Sequence, residues 1–138
     1  MDFKVDTNKL TIKELIEFRR LQYEKWEPIL CPQLKNELVY FNKEGFYHLT
    51  HNGRGKIRNQ ADQRMRLNLL PNIPTVIKKS RSFGSSIRII PASNNKFHKE
   101  ITYYELYYRF TSIKAVSVII RKIGNGNLHF YSVRFNKK

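Results

Sequence analysis

The stretch "KAVSVIIRKIGNGNLHFYSVRF", residues 114–135, predicts the centre of the fold. Two runs rich in β-branched and aromatic residues flank "GNGN", in which Asn125-Gly126 is a strong signal for a tight turn. A two-residue loop there sets Ile120 opposite Tyr131, whereas a three-residue loop would shift the register by one. In the first register the core face is Val116, Val118, Ile120, Tyr131, Val133 and Phe135. The opposite face is Ser117, Ile119, Arg121, Phe130, Ser132 and Arg134, which predicts a basic, hydroxyl-bearing surface.

Two further runs, "SIRII" (86–90) and "ITYYELYYRF" (101–110), precede this hairpin and predict two more strands. We therefore expect a four-stranded or slightly larger antiparallel sheet. Thr11 with Glu14 is a capping-box pattern, which predicts a helix from about 12 to 28. The stretch "ELVYFNKEGFYHLT" (37–50) indicates a second hairpin, with His48 at or just after its second strand. The predicted fold class is α+β, with N-terminal helices followed by the antiparallel sheet.

A basic helix is expected over residues 57–69, with a break at Pro71 and Pro74 and a short helical piece to Lys79. Its apolar positions recur every four residues: Ile57, Ala61, Met65 and Leu69. Arg58, Arg64 and Arg66 fall largely outside that stripe. The pattern predicts a helix with a basic outer face.

The charge of the 138-residue chain is unevenly distributed. Residues 1–44 contain eight Lys/Arg and eight Asp/Glu, and residues 45–138 contain eighteen Lys/Arg against three acids, so the second part carries the whole net charge of +15. We read one domain, with a charge-neutral helical part (1–44) and a basic part (45–138). A field of this size attracts polyanions, above all nucleic acid.

The sequence disfavours several other classes of protein. No apolar run is long enough to span a membrane, and the N-terminus lacks the pattern of a signal peptide. We therefore expect a soluble, cytoplasmic protein that does not engage membranes, or one delivered by a route that leaves no cleavable tag. Cys31 is the single cysteine, which excludes a disulfide framework within this chain. His48 and His51 have a spacing that suits zinc but lack a third ligand, so we expect no metal and no cofactor.

The residues required for metal-independent RNA cleavage are nevertheless present. Attack of a ribose 2′-hydroxyl on the adjacent phosphate needs a base, an acid and cations that stabilise the developing charge. Histidine is suited to both proton roles near neutral pH, and arginine supplies fixed charge. The chain has four histidines: His48, His51, His98 and His129.

The segment "HLTHNGRGKIRNQADQRMRLNLLPNIPTVI" (48–77), followed by the closing hairpin, resembles the barnase/EndoU/colicin/RelE-like ribonuclease superfamily, in particular its phage-associated branch. The resemblance covers roughly residues 45–138. It implies a metal-independent endoribonuclease, often a toxin, with its active site on the sheet. By position it favours His48 as an acid–base group, with Ser132 and Arg121 near the scissile phosphate. Barnase-like members use a glutamate base, and in the predicted strands only Glu105 is an acid.

The resulting hypothesis is an endoribonuclease, with a toxin or phage-related effector as its biological setting. His51 and His129 compete for the second proton role. The expected catalytic residues are His48, His51, Arg121 and Ser132. The expected nucleic-acid-binding residues are Arg54, Lys56, Arg58, Arg64, His129, Phe130 and Arg134. The alternative is a non-catalytic RNA- or DNA-binding protein, and an acidic inhibitor or immunity protein is compatible with either hypothesis.

Overall fold

The protein is described by a computed structural model that covers residues 5–80 and 83–136. Within those ranges six strands form one mixed sheet in the order β1-β2-β6-β5-β4-β3. The strands are β1 (Ile29–Cys31), β2 (Glu37–Tyr40), β3 (Phe83–Ile90), β4 (Ile101–Arg109), β5 (Ala115–Ile123) and β6 (Leu128–Asn136). The helices are α1 (Ile12–Glu24), α2 (Lys43–Tyr47), α3 (Gln60–Leu69) and α4 (Ile73–Lys79). The α+β class is confirmed.

The sheet differs in two respects from the expected four-stranded antiparallel one. Strands β3 to β6 are antiparallel neighbours, as the sequence predicts. The chain before them adds β1 and β2, and β2 lies parallel to β6 through the pairs Val39–Leu128 and Tyr40–His129. A parallel pair between residues eighty-nine positions apart leaves no local signal in the sequence, because it depends on long-range packing.

Helix α1 begins where the sequence predicts. Thr11 accepts a hydrogen bond from the Glu14 amide, and the Glu14 side chain accepts one from the Thr11 amide, so the capping box is formed. The helix ends at Glu24 rather than near residue 28. Pro28 disfavours helical backbone at the residue before it, and β1 follows directly.

The hydrophobic core lies between the sheet and helices α1, α3 and α4. Leu15 from α1, Leu67 from α3 and Ile77 from α4 belong to the same buried cluster as Val118 and Ile120 of β5. Val39 of β2 is also part of that cluster. The N-terminal 44 residues therefore contribute helix and strand to the core that the basic part also builds. The position between 44 and 45, where the charge composition changes, falls inside α2.

The hairpin of β5 and β6 has the predicted register only in its outer half. Val116 pairs with Phe135 and Ile119 with Ser132, but a bulge follows and Ile120 pairs with Phe130. The turn is formed by residues 124–127, longer than the two-residue loop expected. The extra residue moves Phe130 into the core, where it is fully buried, and places Tyr131 on the opposite face. Phe130 is therefore wrongly predicted as a nucleic-acid-binding residue.

Residues 43–47 form helix α2 where the sequence predicts the turn of a hairpin, at residues 42–45, and the start of its second strand. Asn42 caps the helix by accepting a hydrogen bond from the Gly45 amide. A Cβ on Gly45 would lie 2.5 Å from the carbonyl oxygen of Phe130 and 2.9 Å from the Tyr23 hydroxyl. The glycine therefore lets α2 lie directly against β6. His48 is the C-cap residue of this helix, not a strand residue.

Helix α3 buries only part of the predicted stripe. Leu69 is buried and Met65 packs against the core, as predicted. Ile57, which precedes the helix, and Ala61 are exposed, whereas Gln63 and Leu67 are buried. The sequence predicts a basic outer face made by Arg58, Arg64 and Arg66. All three side chains are at least partly buried and donate hydrogen bonds to other groups of the protein. In the part of the chain that the structure describes, no helix has the length and apolar character needed to cross a membrane.

Candidate active site

The face of the sheet opposite helices α1, α3 and α4 carries a cluster of polar side chains centred on Arg121 of β5. The Arg121 side chain is only 5% exposed. Its Nη2 donates to Oε2 of Glu44 at 2.6 Å, and its Nε donates to Nε2 of His129 at 3.0 Å. Glu44 comes from α2 and His129 from β6. Three elements thus hold one guanidinium in a defined orientation.

The two histidines of this cluster, His48 and His129, both lie in environments that favour the neutral ring. Burial lowers the pKa of His129, and the charge of Arg121 lowers it further. Because Nε2 of His129 accepts from Arg121, that nitrogen carries no proton in this arrangement. His129 therefore orients Arg121 and has less freedom to transfer protons than the sequence suggested.

His48 is buried beside the Glu44 carboxylate. Burial lowers the pKa of His48; Glu44 raises it, while Arg121 and Arg58 lower it again. The His48 Nε2 lies 3.9 Å from Oε1 of Glu44. A neutral imidazole with a nearby carboxylate can accept a proton at neutral pH. For Glu44, burial raises the carboxyl pKa, but the hydrogen bond and charge of Arg121 outweigh this and lower the pKa below its ordinary value.

Two tyrosine rings extend the cluster across the sheet. The centroid of the Tyr131 ring lies 4.2 Å from the centroid of the His48 ring. The same centroid lies 4.7 Å from the guanidinium carbon of Arg121. The Tyr103 ring of β4 meets Tyr131 edge to face at 5.2 Å. Burial raises the pKa of Tyr131, and the neighbouring Tyr103 raises it further, so its phenol stays protonated at neutral pH. The bulge in β6 is what places Tyr131 here.

A cavity of about 320 Å³ adjoins these tyrosines. It is lined by Arg88, Tyr103, Glu105, Ile119, Tyr131, Ser132 and Arg134. Glu105 is buried and accepts a hydrogen bond from Nη2 of Arg134 at 3.0 Å. The Arg88 guanidinium lies over the Tyr103 ring at 5.0 Å. Ser132 and Arg134 are thus together, whereas Arg121 is held at the Glu44 side of the cluster.

The loop after His51 brings two exposed cations beside the site. Backbone amides of Arg54 and Lys56 donate to Oδ1 of Asn52, which closes the loop. A Cβ on Gly53 would lie 3.8 Å from the Tyr131 hydroxyl, so this loop borders the cluster. Arg54 and Lys56 are exposed and point their charge to solvent near the face.

Other predicted cations have structural partners. Arg58 donates to the His48 carbonyl oxygen at 3.0 Å and to Asp62 at 3.2 Å, so it supports the segment that carries His48. Arg64 donates to the carbonyl oxygens of Thr7 and Leu10, which ties α3 to the chain before α1. Through these contacts Arg58 and Arg64 stabilise the fold, whether or not they also bind nucleic acid.

Ser132 has a partner that the sequence did not indicate. Its hydroxyl accepts a hydrogen bond from Nη1 of Arg66 at 3.3 Å, and Arg66 also donates to the Val133 carbonyl and to Asp62. Helix α3 is thereby fastened to the edge of β6. Ser132 lines the cavity but is positioned by Arg66 rather than by Arg121.

His51 is separated from His48. Its ring stacks on Tyr47 at 3.9 Å, and its Nδ1 lies 2.8 Å from the Thr50 hydroxyl. His51 and Tyr47 line a different, mainly apolar groove of about 650 Å³, which is also lined by Tyr23 and Trp26. The three-residue spacing places the two histidines on different sides of the turn after α2, so His51 does not join His48 at the Arg121 cluster.

Glu44 is the residue of this cluster that the sequence analysis missed. The signal was present as Glu44 and His48 at i and i+4, a spacing that brings side chains together on a helix. The predicted hairpin concealed it, because it placed Glu44 in the turn and His48 at or just after the end of the second strand. Glu105, the one acid in the strands that the sequence predicts, lines the neighbouring cavity instead.

No group of three His, Cys, Asp or Glu side chains suited to a metal ion occurs within residues 5–80 and 83–136. Comparisons of the chain with protein-family models, curated protein sequences and solved structures found no match. The resemblance to ribonucleases therefore stays a prediction, and the chemistry of the cluster has to carry the functional argument.

Proposed function

We propose that the protein is a metal-independent endoribonuclease whose active site is the Arg121 cluster. The observation that carries this proposal is the buried His48 ring, whose Nε2 lies 3.9 Å from the Glu44 carboxylate that also binds Arg121. Transfer of a phosphoryl group to a 2′-hydroxyl requires a proton acceptor, a fixed cation and a proton donor. This face of the sheet offers all three, as an imidazole, a guanidinium and a protonated phenol.

In the proposed reaction, His48 accepts the proton of the ribose 2′-hydroxyl as that oxygen attacks phosphorus. The bond from phosphorus to the 5′-oxygen of the next nucleotide breaks, and Tyr131 donates a proton to the departing oxygen. The products are a 2′,3′-cyclic phosphate and a free 5′-hydroxyl. Tyr131 is suited to the donor role because it is protonated at neutral pH and lies next to His48.

Arg121 stabilises the charge that develops on the phosphate. Its hydrogen bonds to Glu44 and His129 use two of the five guanidinium N–H groups, so donors remain for phosphate oxygens. A guanidinium that is already oriented stabilises the transition state without a cost of reorganisation. Glu44 acts by holding Arg121, and its lowered pKa keeps this ion pair charged at neutral pH.

The net charge of +15 supports RNA as the substrate, with Arg54 and Lys56 contributing exposed charge next to the face. The resemblance described above extends the proposal to a toxin or phage-related effector, controlled by an acidic inhibitor protein. An inhibitor of that kind would complement the same positive field.

A non-catalytic RNA- or DNA-binding protein is the second candidate. The observation in its favour is the low exposure of Arg121, since buried ion pairs also occur in purely structural networks. In that case the cluster would fasten α2 to the sheet, and the surrounding charge would bind nucleic acid without cutting it.

Incubation of the protein with single-stranded RNA in the presence of a chelator separates the two candidates. The ribonuclease proposal predicts fragments that end in a 2′,3′-cyclic phosphate, and DNA of the same sequence should bind but stay intact because it lacks the nucleophile. Binding without fragments would favour the second candidate. Cleavage that a chelator abolishes and a metal ion restores would overturn the metal-independent mechanism.

A further inference from the structure

The cavity next to the Arg121 cluster has the properties of a site for one unpaired base. We propose that the cavity lined by Tyr103, Tyr131 and Arg88 is a nucleobase subsite, which makes single-stranded RNA the substrate class. The inference deepens the proposed function and rests on it for the presence of RNA at this face. It concerns the base, whereas the reaction described above concerns the sugar and phosphate.

Size and position support the base as occupant. The volume of about 320 Å³ is at the lower end of ligand pockets, which suits a single planar ring system. Tyr131 lines the cavity, and its ring centroid lies 4.2 Å from that of His48. A nucleotide whose base enters the cavity would therefore have its ribose and phosphate near His48.

The lining offers planar surfaces for stacking. The Tyr103 and Tyr131 rings meet edge to face, so together they form two walls at a steep angle. The exposed Arg88 guanidinium lies over Tyr103 and adds a third planar group. Aromatic rings and guanidinium planes are the groups on which proteins stack unpaired RNA bases.

The charges of the lining are compatible with a neutral base inside the cavity. Glu105 is buried and forms an ion pair with Arg134, so these two lining charges offset each other. Arg134, which holds Glu105, has a half-exposed side chain at the rim, where a phosphate can approach it. The base would thus lie inside and the backbone outside. A base in a duplex is stacked and paired, so only single-stranded RNA can present one in this way.

The test combines a protein variant with a change in the RNA. Tyr103→Leu removes the ring but keeps apolar bulk, and Tyr107→Leu is its matched control, because Tyr107 lies four residues further along β4, opposite Ser117 and outside the cavity. The probes are a fluorescent 2′-O-methyl octanucleotide, which cannot be cut, and the same backbone with abasic central positions. Fluorescence anisotropy at fixed salt gives the dissociation constants.

We expect Tyr103→Leu to weaken binding of the intact octanucleotide about tenfold, the effect of one stacked base. The abasic probe should bind the parent about tenfold more weakly than the intact probe, yet bind Tyr103→Leu and the parent equally. Tyr107→Leu should resemble the parent on both probes. A duplex of the same sequence should bind Tyr103→Leu as tightly as it binds the parent.

Equal binding of both probes by the parent would overturn the subsite, as would equal effects of Tyr103→Leu on intact and abasic probes. Loss of duplex binding in Tyr103→Leu would overturn the preference for single strands. Because these measurements use uncleavable probes, they are independent of catalysis. Fragmentation of unmodified RNA, scored separately, decides the proposed function, so either proposal can fail without the other.

Discussion

Replacement of His48 by glutamine should nearly abolish RNA cleavage while leaving RNA affinity unchanged. Glutamine fills much of the same space and keeps a polar group, but it cannot accept a proton near neutral pH. A positioned base contributes about a hundredfold to ten-thousandfold to the rate, which is the expected loss. The lowered pKa of His48 means that the ring is uncharged at pH 7, so its removal leaves the net charge of +15 intact.

The pH dependence of the parent gives a second readout of the same group. A base must be deprotonated, and burial lowers the pKa of His48 below the ordinary histidine value of 6.5. The cleavage rate should therefore rise with pH on the acid side, with its midpoint below 6.5, and reach a plateau near neutral pH. In His48→Gln that acid limb should be lost from the residual rate.

The fold should tolerate this substitution well enough to be measured. Arg58 bonds to the backbone carbonyl of His48, not to its ring, so that contact is retained in the variant. The assays are initial cleavage rates in chelator, anisotropy with an uncleavable RNA, and thermal unfolding. If His48→Gln cuts as fast as the parent, or if its rate and affinity fall by the same factor, His48 is not the base.

The remaining predictions concern packing and charge. Gly45→Ala should lower the free energy of unfolding by about 1–3 kcal/mol, because the new methyl group meets the backbone oxygen of Phe130 at 2.5 Å; Gly53→Ala, with no contact closer than 3.8 Å, is the control in urea unfolding. Equal stability of the two variants would mean that α2 can move away from β6. Arg54→Ala should reduce the slope of log affinity against log salt by about 1 without a change in melting temperature, since the side chain is exposed. Arg64→Ala should instead lower the melting temperature, because two backbone carbonyls lose their donor; an unchanged melting temperature would contradict this.

Local patterns in the sequence were sufficient for several elements. Thr11 and Glu14 form the predicted capping box, and the outer half of the β5–β6 hairpin has the predicted register from Val116 to Ile119. These features depend on neighbours within a few residues or on one tight turn, so composition and spacing determine them. The uneven charge is likewise a property of the sequence alone.

The candidate site, by contrast, was decided by tertiary packing. Residues 43–47 have strand-like flanks, yet they become α2 because Asn42 caps the helix and Gly45 fits against the backbone of Phe130. That helix brings Glu44 to Arg121, seventy-seven residues away. A contact between such distant residues has no periodicity or spacing that a local pattern can reveal.

The same distinction explains the residues whose predicted roles changed. The sequence determined that an apolar and a polar face alternate along β6, because side chains of a strand point to opposite sides. The bulge between Ile119 and Ile120, set by how the whole sheet and turn fit together, decided that Phe130 is core and Tyr131 faces the site. One extra residue in a strand exchanges the two faces beyond it, so the identity of the site residues depends on a register that only the folded sheet establishes.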